Sequence, residues 1–285
     1  MKSFLLSAFL LLFIISSLLH TQTTAPDSTM FRWIPKGSAG INVSQVSFNN
    51  WTQGGDNSIT WSGTGNISLV YKTPGWRSEN MLKIAYGRSK IGDDSYRTNE
   101  NEIYLENIFS YGIGWAIDPF ISNTVRSTIS RGYDYKKDPA VQTADFFDPG
   151  YITQSLGFTY NKLTGFTTRM GLGFQEVVTN RFRQYSDDPD TKDKTEAFKF
   201  ETGVESVTDG EVTLDDNVLF KSKLRLFTRF NHFDVWDVRW DNTITAQVNK
   251  YINVQFNVLT VYEKIQSPRT QLKEGLQLGL IYTLF

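Results

Sequence analysis

His232 is one of two histidines in the sequence, and the other, His20, closes an N-terminal apolar run. His232 stands in the segment RFNHFDVWD, with Asp234 two residues later. A histidine beside a serine or an aspartate can hydrolyse or transfer acyl chains of lipids. However, the nearest serines in sequence are Ser206 and Ser222, and one imidazole without an adjacent nucleophile makes a weak site. We therefore predict no catalytic residues, and a lipid hydrolase or acyltransferase that uses His232 is the least favoured alternative.

An acidic segment, YSDDPDTKDK, could in principle bind calcium through carboxylate oxygens. It contains four aspartates: Asp187, Asp188, Asp190 and Asp193. The segment lacks the glycine and the distal glutamate of an EF-hand loop, and Lys192 and Lys194 dilute its negative charge. We therefore interpret it as a solvated acidic loop and predict neither a metal site nor a cofactor.

A third set of candidates consists of charged residues that alternate with apolar ones, and would thus share one face of neighbouring strands. The set comprises Arg169, Lys199, Glu201, Glu205, Lys221, Lys223, Arg225, Arg229, Arg239 and Asp241. Adjacent strands lie about 5 Å apart, so these charges can pair across a sheet. Two interpretations follow if the sheet closes on itself. The favoured one is an interior filled by ion pairs, and the other is a narrow pore whose basic stripe favours anions.

The N-terminal sequence indicates that the chain is exported before the strands that position these residues fold. The run Phe4 to Leu19 is apolar, follows Lys2 and precedes a polar stretch, which is typical of a cleaved signal peptide. We assign residues 1–25 to that peptide, with an uncertain cleavage point, while a retained membrane anchor is the alternative. Residues 26–37 would form a periplasmic lead-in or a partial plug, and residues 38–285 one folded domain. The sequence has no cysteine and a net charge of -1, so we expect neither disulfides nor a nucleic-acid partner.

From Gly40 onward the hydrophobic period is two, which indicates strands. In the segment SITWSGTGNISLVY, the residues Ile59, Trp61, Ile67 and Tyr71 share one face, and serines, threonines and Asn66 share the other. This strand is longer than is usual in a soluble sandwich and suits a tilted crossing of a bilayer. Similar segments recur to give about twelve strands, with 10–14 as the range. The fold class is therefore an all-β, transmembrane antiparallel β-barrel.

The connections support a membrane orientation. Short connections, including KTPG near 72–75, a turn near 208–210 and NK at 249–250, alternate with longer ones such as 133–150 and 180–196. Short periplasmic turns and long extracellular loops are expected of outer-membrane barrels. Four tryptophans at predicted strand ends would form interfacial girdles: Trp51, Trp76, Trp115 and Trp236. The chain stops on Phe285, and a terminal aromatic residue after the last strand is similar to the signal that barrel-assembly machinery reads.

The segment QVSFNNWTQGGDNSITW, from Gln45 to Trp61, resembles the opening signature of a family of Bacteroidota proteins known as domain of unknown function 3078. The pair Tyr86-Gly87, the turn Pro149-Gly150-Tyr151 and the ending QLKEGLQLGLIYTLF resemble the same family. The Asn-Trp-Thr-Gln-Gly-Gly core is the most specific part of the likeness. The resemblance implies a single outer-membrane barrel and supplies no activity.

The sequence thus predicts export by the general secretory route to the outer membrane of a Gram-negative cell, where lipid surrounds the barrel. A narrow channel or transport barrel is the favoured function. The alternative is a structural or accessory barrel that binds partners in an envelope complex. These two differ in whether the lumen is open.

Overall fold

The structure, a computed structural model, describes residues 30–49, 55–188, 191, 194–264 and 269–284. Fourteen strands lie in these ranges: β1 Trp33–Val46, β2 Ser58–Lys72, β3 Trp76–Ile91, β4 Arg97–Tyr111, β5 Asp118–Ser127, β6 Gly132–Asp134, β7 Val141–Ala144, β8 Gly150–Leu163, β9 Phe166–Val178, β10 Phe198–Asp215, β11 Val218–Arg229, β12 His232–Gln247, β13 Ile252–Tyr262 and β14 Gln271–Thr283. No helix among the described residues is long and apolar enough to cross a membrane.

Twelve of the described strands form one closed antiparallel barrel, which confirms the predicted fold class and strand number. The chain meanders around the ring, and the seam closes where β1 pairs with β14, from Ser38 opposite Thr283 to Asn42 opposite Gly279. The two remaining strands, β6 and β7, form a separate hairpin in the connection between β5 and β8. Closure leaves no strand edge of the barrel unpaired, as a bilayer requires.

The barrel has two unlike ends. We call the end that carries the connections β5–β8 and β9–β10 the loop end, and the opposite end the turn end. At the turn end the β8–β9 connection is tight, since Gly165 has a φ of 73° and its carbonyl accepts a hydrogen bond from the Glu211 amide at 2.7 Å. At the loop end Asn101 anchors the long connection, because its side-chain oxygen accepts from the amides of Ile129 and Ser130 at 3.0 Å each.

Aromatic side chains border the outer face at both ends. At the turn end the rings of Trp33, Tyr71, Trp76 and Phe109 follow one another, with centroid distances of 5.2, 4.8 and 5.6 Å. Toward the loop end Trp61 contacts Tyr86 at 6.0 Å. Trp61 and Tyr71 are ten residues apart on β2. At about 3.3 Å per residue and a tilt of about 40°, they are separated by about 25 Å along the barrel axis, which is the height of the apolar band in outer-membrane barrels.

Two boundaries differ from those predicted. Strand β1 begins at Trp33 and pairs with β2 from Trp33 opposite Tyr71, so residues 33–37 belong to the barrel and not to a lead-in or plug. The turn predicted near 208–210 is also wrong, because β10 continues to Asp215 and pairs through this segment with β11. In both places the segment pairs with a neighbouring strand, and in β10 this pairing overrides the local turn signal Asp209-Gly210.

Glycine at position 203 is required by close packing of the inner wall. A Cβ atom at Gly203 on β10 would overlap the carbonyl oxygen of Thr228 on β11, whereas a Cβ at Gly65 on β2 would meet nothing within 4 Å. We expect Gly203→Ala to destabilise the folded barrel by about 1–3 kcal/mol, as overpacking does elsewhere. Gly65→Ala is the matched control and should leave stability almost unchanged. Urea titration of the refolded barrel in detergent measures both, and equal midpoints would contradict the expectation.

Candidate functional site: the barrel lumen

Glu106 lies at the centre of the densest charge cluster in the lumen. Its carboxylate forms a short ion pair with the Arg169 guanidinium on β9 and accepts from the Lys223 ammonium on β11 at 2.6 Å. The Asp209 carboxylate on β10 lies 3.5 Å from Lys223 and 3.6 Å from Arg169. Two cations and two carboxylates therefore neutralise one another. Glu106 and Arg169 are 5% and 4% exposed, so these two groups are closed to bulk water, whereas Lys223 and Asp209 are partly exposed.

A second cluster fills the wall from β8 to β11. The Arg225 guanidinium donates to the Glu205 carboxylate at 2.6 Å and to the Gln175 side-chain oxygen at 2.9 Å. The Ser155 hydroxyl also donates to Glu205. The ring of Phe227, which is fully buried, packs under the Arg225 guanidinium with a distance of 5.4 Å to its centroid. This half of the lumen is occupied by side chains and leaves little space for solvent.

A third cluster lies nearer the loop end. The Arg229 guanidinium contacts the Glu201 carboxylate at 2.6 Å and the Asp237 carboxylate at 2.8 Å. Lys199 lies 3.1 Å from Glu201. The second oxygen of Asp237 is buried without a hydrogen-bond partner in the structure. Arg229 is therefore the group that holds two buried carboxylates together.

Other ion pairs cross the lumen. Strands β4 and β12 are separated by five strands in either direction around the ring, yet the Arg239 guanidinium on β12 donates to Glu102 on β4 at 3.0 Å. Arg126 on β5 likewise reaches Glu263, just after β13, at 3.5 Å. Because the partners stand on opposite walls, these pairs form a bar across the lumen.

A cavity of about 420 Å³ lies at the loop end, and its lining includes Arg126, Arg239, Tyr151 and Tyr185. Burial raises the pKa of the Tyr185 phenol above its usual range. The cavity presents hydroxyl, guanidinium and carboxylate groups together, and the bar of ion pairs forms part of its lining.

The remaining wall of the lumen, formed by β1, β2, β13 and β14, is mostly neutral and polar. Its inward-facing residues include Ser38, Asn42, Thr60, Ser62, Thr64, Asn66, Ser68, Asn253, Gln255, Asn257 and Gln277. Asn66 is exposed even though it faces inward, whereas Ser110, Ser122 and Ser155 on the other side are buried. We call this side the neutral wall. Solvent thus reaches the neutral wall at Asn66, whereas Asn42, Ser62 and Asn253 on the same wall are buried.

The ten charged residues singled out in the sequence all lie on strand faces that point into the barrel. Eight of them take part in the clusters and cross-lumen pairs just described. Lys221 stands apart near the turn end, exposed and paired with Glu211 at 3.0 Å. Asp241 accepts a hydrogen bond from the Asn257 side chain at 2.6 Å and contributes no cross-lumen pair that the structure describes.

Sequence reasoning missed the partners that complete the site: Glu102, Glu106, Arg126, Asp209, Asp237 and Glu263. For Glu102 and Glu106 the alternation of β4 already placed the side chains on the polar face. The sequence did not indicate which strands on the other walls the Glu102 and Glu106 side chains contact, because those contacts depend on closure of the ring.

The remaining predicted residues are placed as follows. His232 is exposed at the start of β12, and its backbone carbonyl accepts a hydrogen bond from the Thr228 hydroxyl at 3.3 Å. Trp76 begins β3 and joins the turn-end aromatic row, Trp115 is 70% exposed in the β4–β5 connection, and Trp236 lies inside β12 instead of at its end. Trp33, which falls within the predicted lead-in, is a member of that same row.

Several predictions concern residues outside the described ranges. These are the signal peptide (1–25), Trp51 and the C-terminal Phe285. Two of the four loop aspartates, Asp190 and Asp193, also fall outside them. Within the described ranges, no group of three or more histidine, aspartate or glutamate residues is arranged to hold a metal ion.

The family comparison bears on the first half of the barrel. Residues 43–133 match a family described as a protein of unknown function (DUF3078). The match confirms the resemblance over a segment that runs from β1 into β6. The turn Pro149–Tyr151 and the C-terminal sequence lie beyond the DUF3078 segment. Among curated proteins, none matches the chain.

Several solved outer-membrane structures are similar to the chain. The translocator domain of the autotransporter NalP from Neisseria meningitidis shares 11% identity, with 97% of this chain and 94% of that chain covered and a TM-score of 0.36. The COG4313 outer membrane channel from Pseudomonas putida F1 shares 11% identity, covers 92% and 99%, and has a TM-score of 0.40. The beta domain of the Bordetella autotransporter BrkA shares 12% identity, covers 88% and 98%, and has a TM-score of 0.34.

Proposed function

We propose that the protein resides in the outer membrane and forms a narrow, weakly ion-selective passage along its neutral wall. The membrane location is supported by the closed ring of hydrogen-bonded strands and by an outer face whose aromatic borders match the thickness of a bilayer. The loop end would face outward from the cell and the turn end the periplasm.

The observation that carries this proposal is the asymmetry of the interior. Inward-facing Asn66 on β2 is exposed, while inward-facing Glu106 on β4 and Ser155 on β8 are buried. Solvent therefore reaches this side of the lumen more readily at Asn66 than at Glu106 or Ser155. The proposed passage continues past Asn42, Ser62 and Asn253, which are buried on the same wall. A passage along serine, threonine and carboxamide side chains suits small polar solutes, because such groups exchange hydrogen bonds with a solute without strong attraction for either sign of charge.

Weak selectivity follows from the pairing of the basic residues. Lys223, Arg225 and Arg229 each contact a carboxylate within 3.0 Å. Acidic partners therefore neutralise the basic residues from which an anion preference was predicted. We expect similar permeability for potassium and chloride in planar bilayers.

The passage can be tested by narrowing it. Asn66→Trp places a large ring on the inward face of β2, and Ile67→Trp places the same ring one residue away on the outward face. We expect Asn66→Trp to reduce single-channel conductance of the refolded full chain several-fold, and Ile67→Trp to leave it unchanged. If the unsubstituted barrel does not conduct, or if both variants conduct like it, the passage is not along the neutral wall.

A second candidate function is an accessory barrel without transport, and the cross-lumen pairs Arg239–Glu102 and Arg126–Glu263 favour it. In that case the bar of ion pairs would act as a permanent plug, and the loops would bind envelope partners. A barrel that folds in bilayers but never conducts, even after removal of the bar, would support this function over a passage.

We propose that export and membrane insertion follow the usual secretory and barrel-assembly routes, with β14 as the strand that the assembly machinery reads. We assign no enzymatic role. Purified protein should not hydrolyse phospholipid or lipopolysaccharide, and turnover that His232→Ala abolishes would overturn that assignment.

A further inference from the structure

Four carboxamide side chains are aligned across neighbouring strands of the barrel. Asn80 on β3 is opposite Asn107 on β4, Asn107 is opposite Asn123 on β5, and Asn123 is opposite Gln154 on β8. We call this set the carboxamide row. Cross-strand neighbours on one face lie close enough for their side chains to interact, so the row forms a continuous polar strip.

The carboxamide row faces the outside of the barrel. The residues next to its members, Glu106 on β4, Ser122 on β5 and Ser155 on β8, are buried in the lumen, and successive side chains in a strand point to opposite faces. The nearest residues on the same outward face are apolar: Leu105 and Phe109, Ile121 and Val125, and Ile152 and Leu156. The row therefore crosses the apolar band, where lipid would otherwise surround it.

Only part of the row is satisfied within the barrel. The Asn107 side-chain nitrogen donates to the Asn80 side-chain oxygen at 2.8 Å, and Asn80 donates to the Ser78 hydroxyl at 3.2 Å. Among the residues that the structure describes, no hydrogen bond joins the carboxamide of Asn123 or Gln154 to another group. Some outward-facing polar groups on other walls are paired within the barrel, as in Thr168 with Thr208 at 2.9 Å and Ser222 with Asn242 at 2.8 Å. Ser206 on β10 and Glu274 on β14 also face outward, and no described residue pairs with their side chains. Asn123 and Gln154 differ from these two because they lie directly opposite each other on adjacent strands. Lipid tails offer these two carboxamides no partner.

We infer that the outer wall formed by β5 and β8 is the contact surface of a homodimer, in which Asn123 of each copy hydrogen-bonds Gln154 of the other. This inference rests on the membrane location in the proposed function. A carboxamide is both donor and acceptor, so a pair on adjacent strands is complementary to its own copy after a twofold rotation. Ile121 and Leu156, which are exposed at 57% and 47%, then pack around the axis and exclude lipid.

The absence of cysteine in the sequence allows the axis to be located with single introduced thiols. Ile121→Cys lies beside Asn123, and Leu272→Cys is an equally exposed outward position on β14. We expect mild oxidation of the full chain in phosphatidylcholine vesicles to crosslink Ile121→Cys into dimers and to leave Leu272→Cys monomeric. Crosslinking at Leu272→Cys alone would place the contact on another wall and overturn the inference.

Removal of the hydrogen bonds tests their role. Asn123→Leu combined with Gln154→Leu should lower the dimer association constant in the same vesicles about tenfold, as measured by single-molecule photobleaching. A change of this size corresponds to the loss of one or two hydrogen bonds between membrane segments. Thr168→Val combined with Thr208→Val removes an internally paired set and should leave the dimer fraction unchanged. Heat-modifiable gel mobility confirms that each variant is folded.

The outcomes separate this inference from the proposed function. A folded, conducting barrel that stays monomeric in vesicles overturns the dimer alone. A dimer that persists in the double leucine variant overturns the role of the carboxamides, as does capture of a different membrane protein in place of a second copy. A dimer that does not conduct supports the inference and contradicts the passage.

Discussion

Glu106→Ala is expected to destabilise the folded barrel by about 3–5 kcal/mol, because it leaves buried cations without their principal partner. Glu106 is the carboxylate that both Arg169 and Lys223 contact from other walls. Asp209 would remain near them, but it lies 3.5 Å from Lys223 and 3.6 Å from Arg169 and is partly exposed. The measurement is the urea midpoint for refolding in detergent, followed by heat-modifiable gel mobility.

Glu211→Ala is the matched control, since Glu211 also pairs with a lysine, Lys221, at 3.0 Å. That pair is more than half exposed, and exposed pairs contribute about 0–1 kcal/mol. A second comparison uses Glu106→Gln with Lys223→Met, which removes one buried cation together with the carboxylate and should recover part of the lost stability. Equal midpoints for Glu106→Ala and Glu211→Ala would show that the central cluster does not stabilise the fold.

The fold was predictable because strands that cross a membrane alternate lipid-facing apolar residues with lumen-facing polar residues, and this alternation is visible in the sequence. In β2, the series Ile59, Trp61, Ile67, Leu69 and Tyr71 alternates with small polar residues, and the structure places these two series on opposite faces. A shift of one residue would turn every apolar side chain into the lumen. The register and the approximate number of strands follow from that constraint.

Strand boundaries were less predictable, because local signals compete with pairing. Residues 26–37 were predicted to precede the barrel, yet residues 33–37 lie in β1 opposite β2. In β10, Asp209-Gly210 has the composition of a turn, but the Asp209 carboxylate contacts Lys223 on the neighbouring strand. Whether such a residue belongs to a strand thus depends on its partners on the adjacent strand, and the local sequence does not show those partners.

The contacts of the lumen were the least predictable part. Alternation indicated that Lys223 and Glu106 face inward, but β11 and β4 are far apart in sequence and in ring order. Whether they meet depends on how closely opposite walls approach. Strand count fixes only the approximate size of a barrel, so the meeting of Arg239 with Glu102 required the closed structure.

The bar of ion pairs leads to the second large effect that we expect. Arg239→Ser combined with Glu102→Ser should raise the single-channel conductance of the barrel several-fold, because the pair links β12 to β4 across the lumen. Replacing two long side chains with short hydroxyls clears the space between opposite walls and removes one charge of each sign. Lys83, which lies 3.5 Å from Glu102 and is 38% exposed, can be solvated in the widened lumen.

Lys221→Ser combined with Glu211→Ser is the matched control, since it removes the same chemistry from a pair on the adjacent strands β11 and β10. That pair lies along the wall instead of across the lumen, so its loss should change conductance little. Both double variants leave the net charge unchanged, and only Arg239→Ser with Glu102→Ser removes a connection between opposite walls. A difference in conductance between them therefore reports steric obstruction and not a change in charge. Equal conductance in the two variants would mean that the bar does not limit the passage, and that the narrowest point lies elsewhere along the neutral wall.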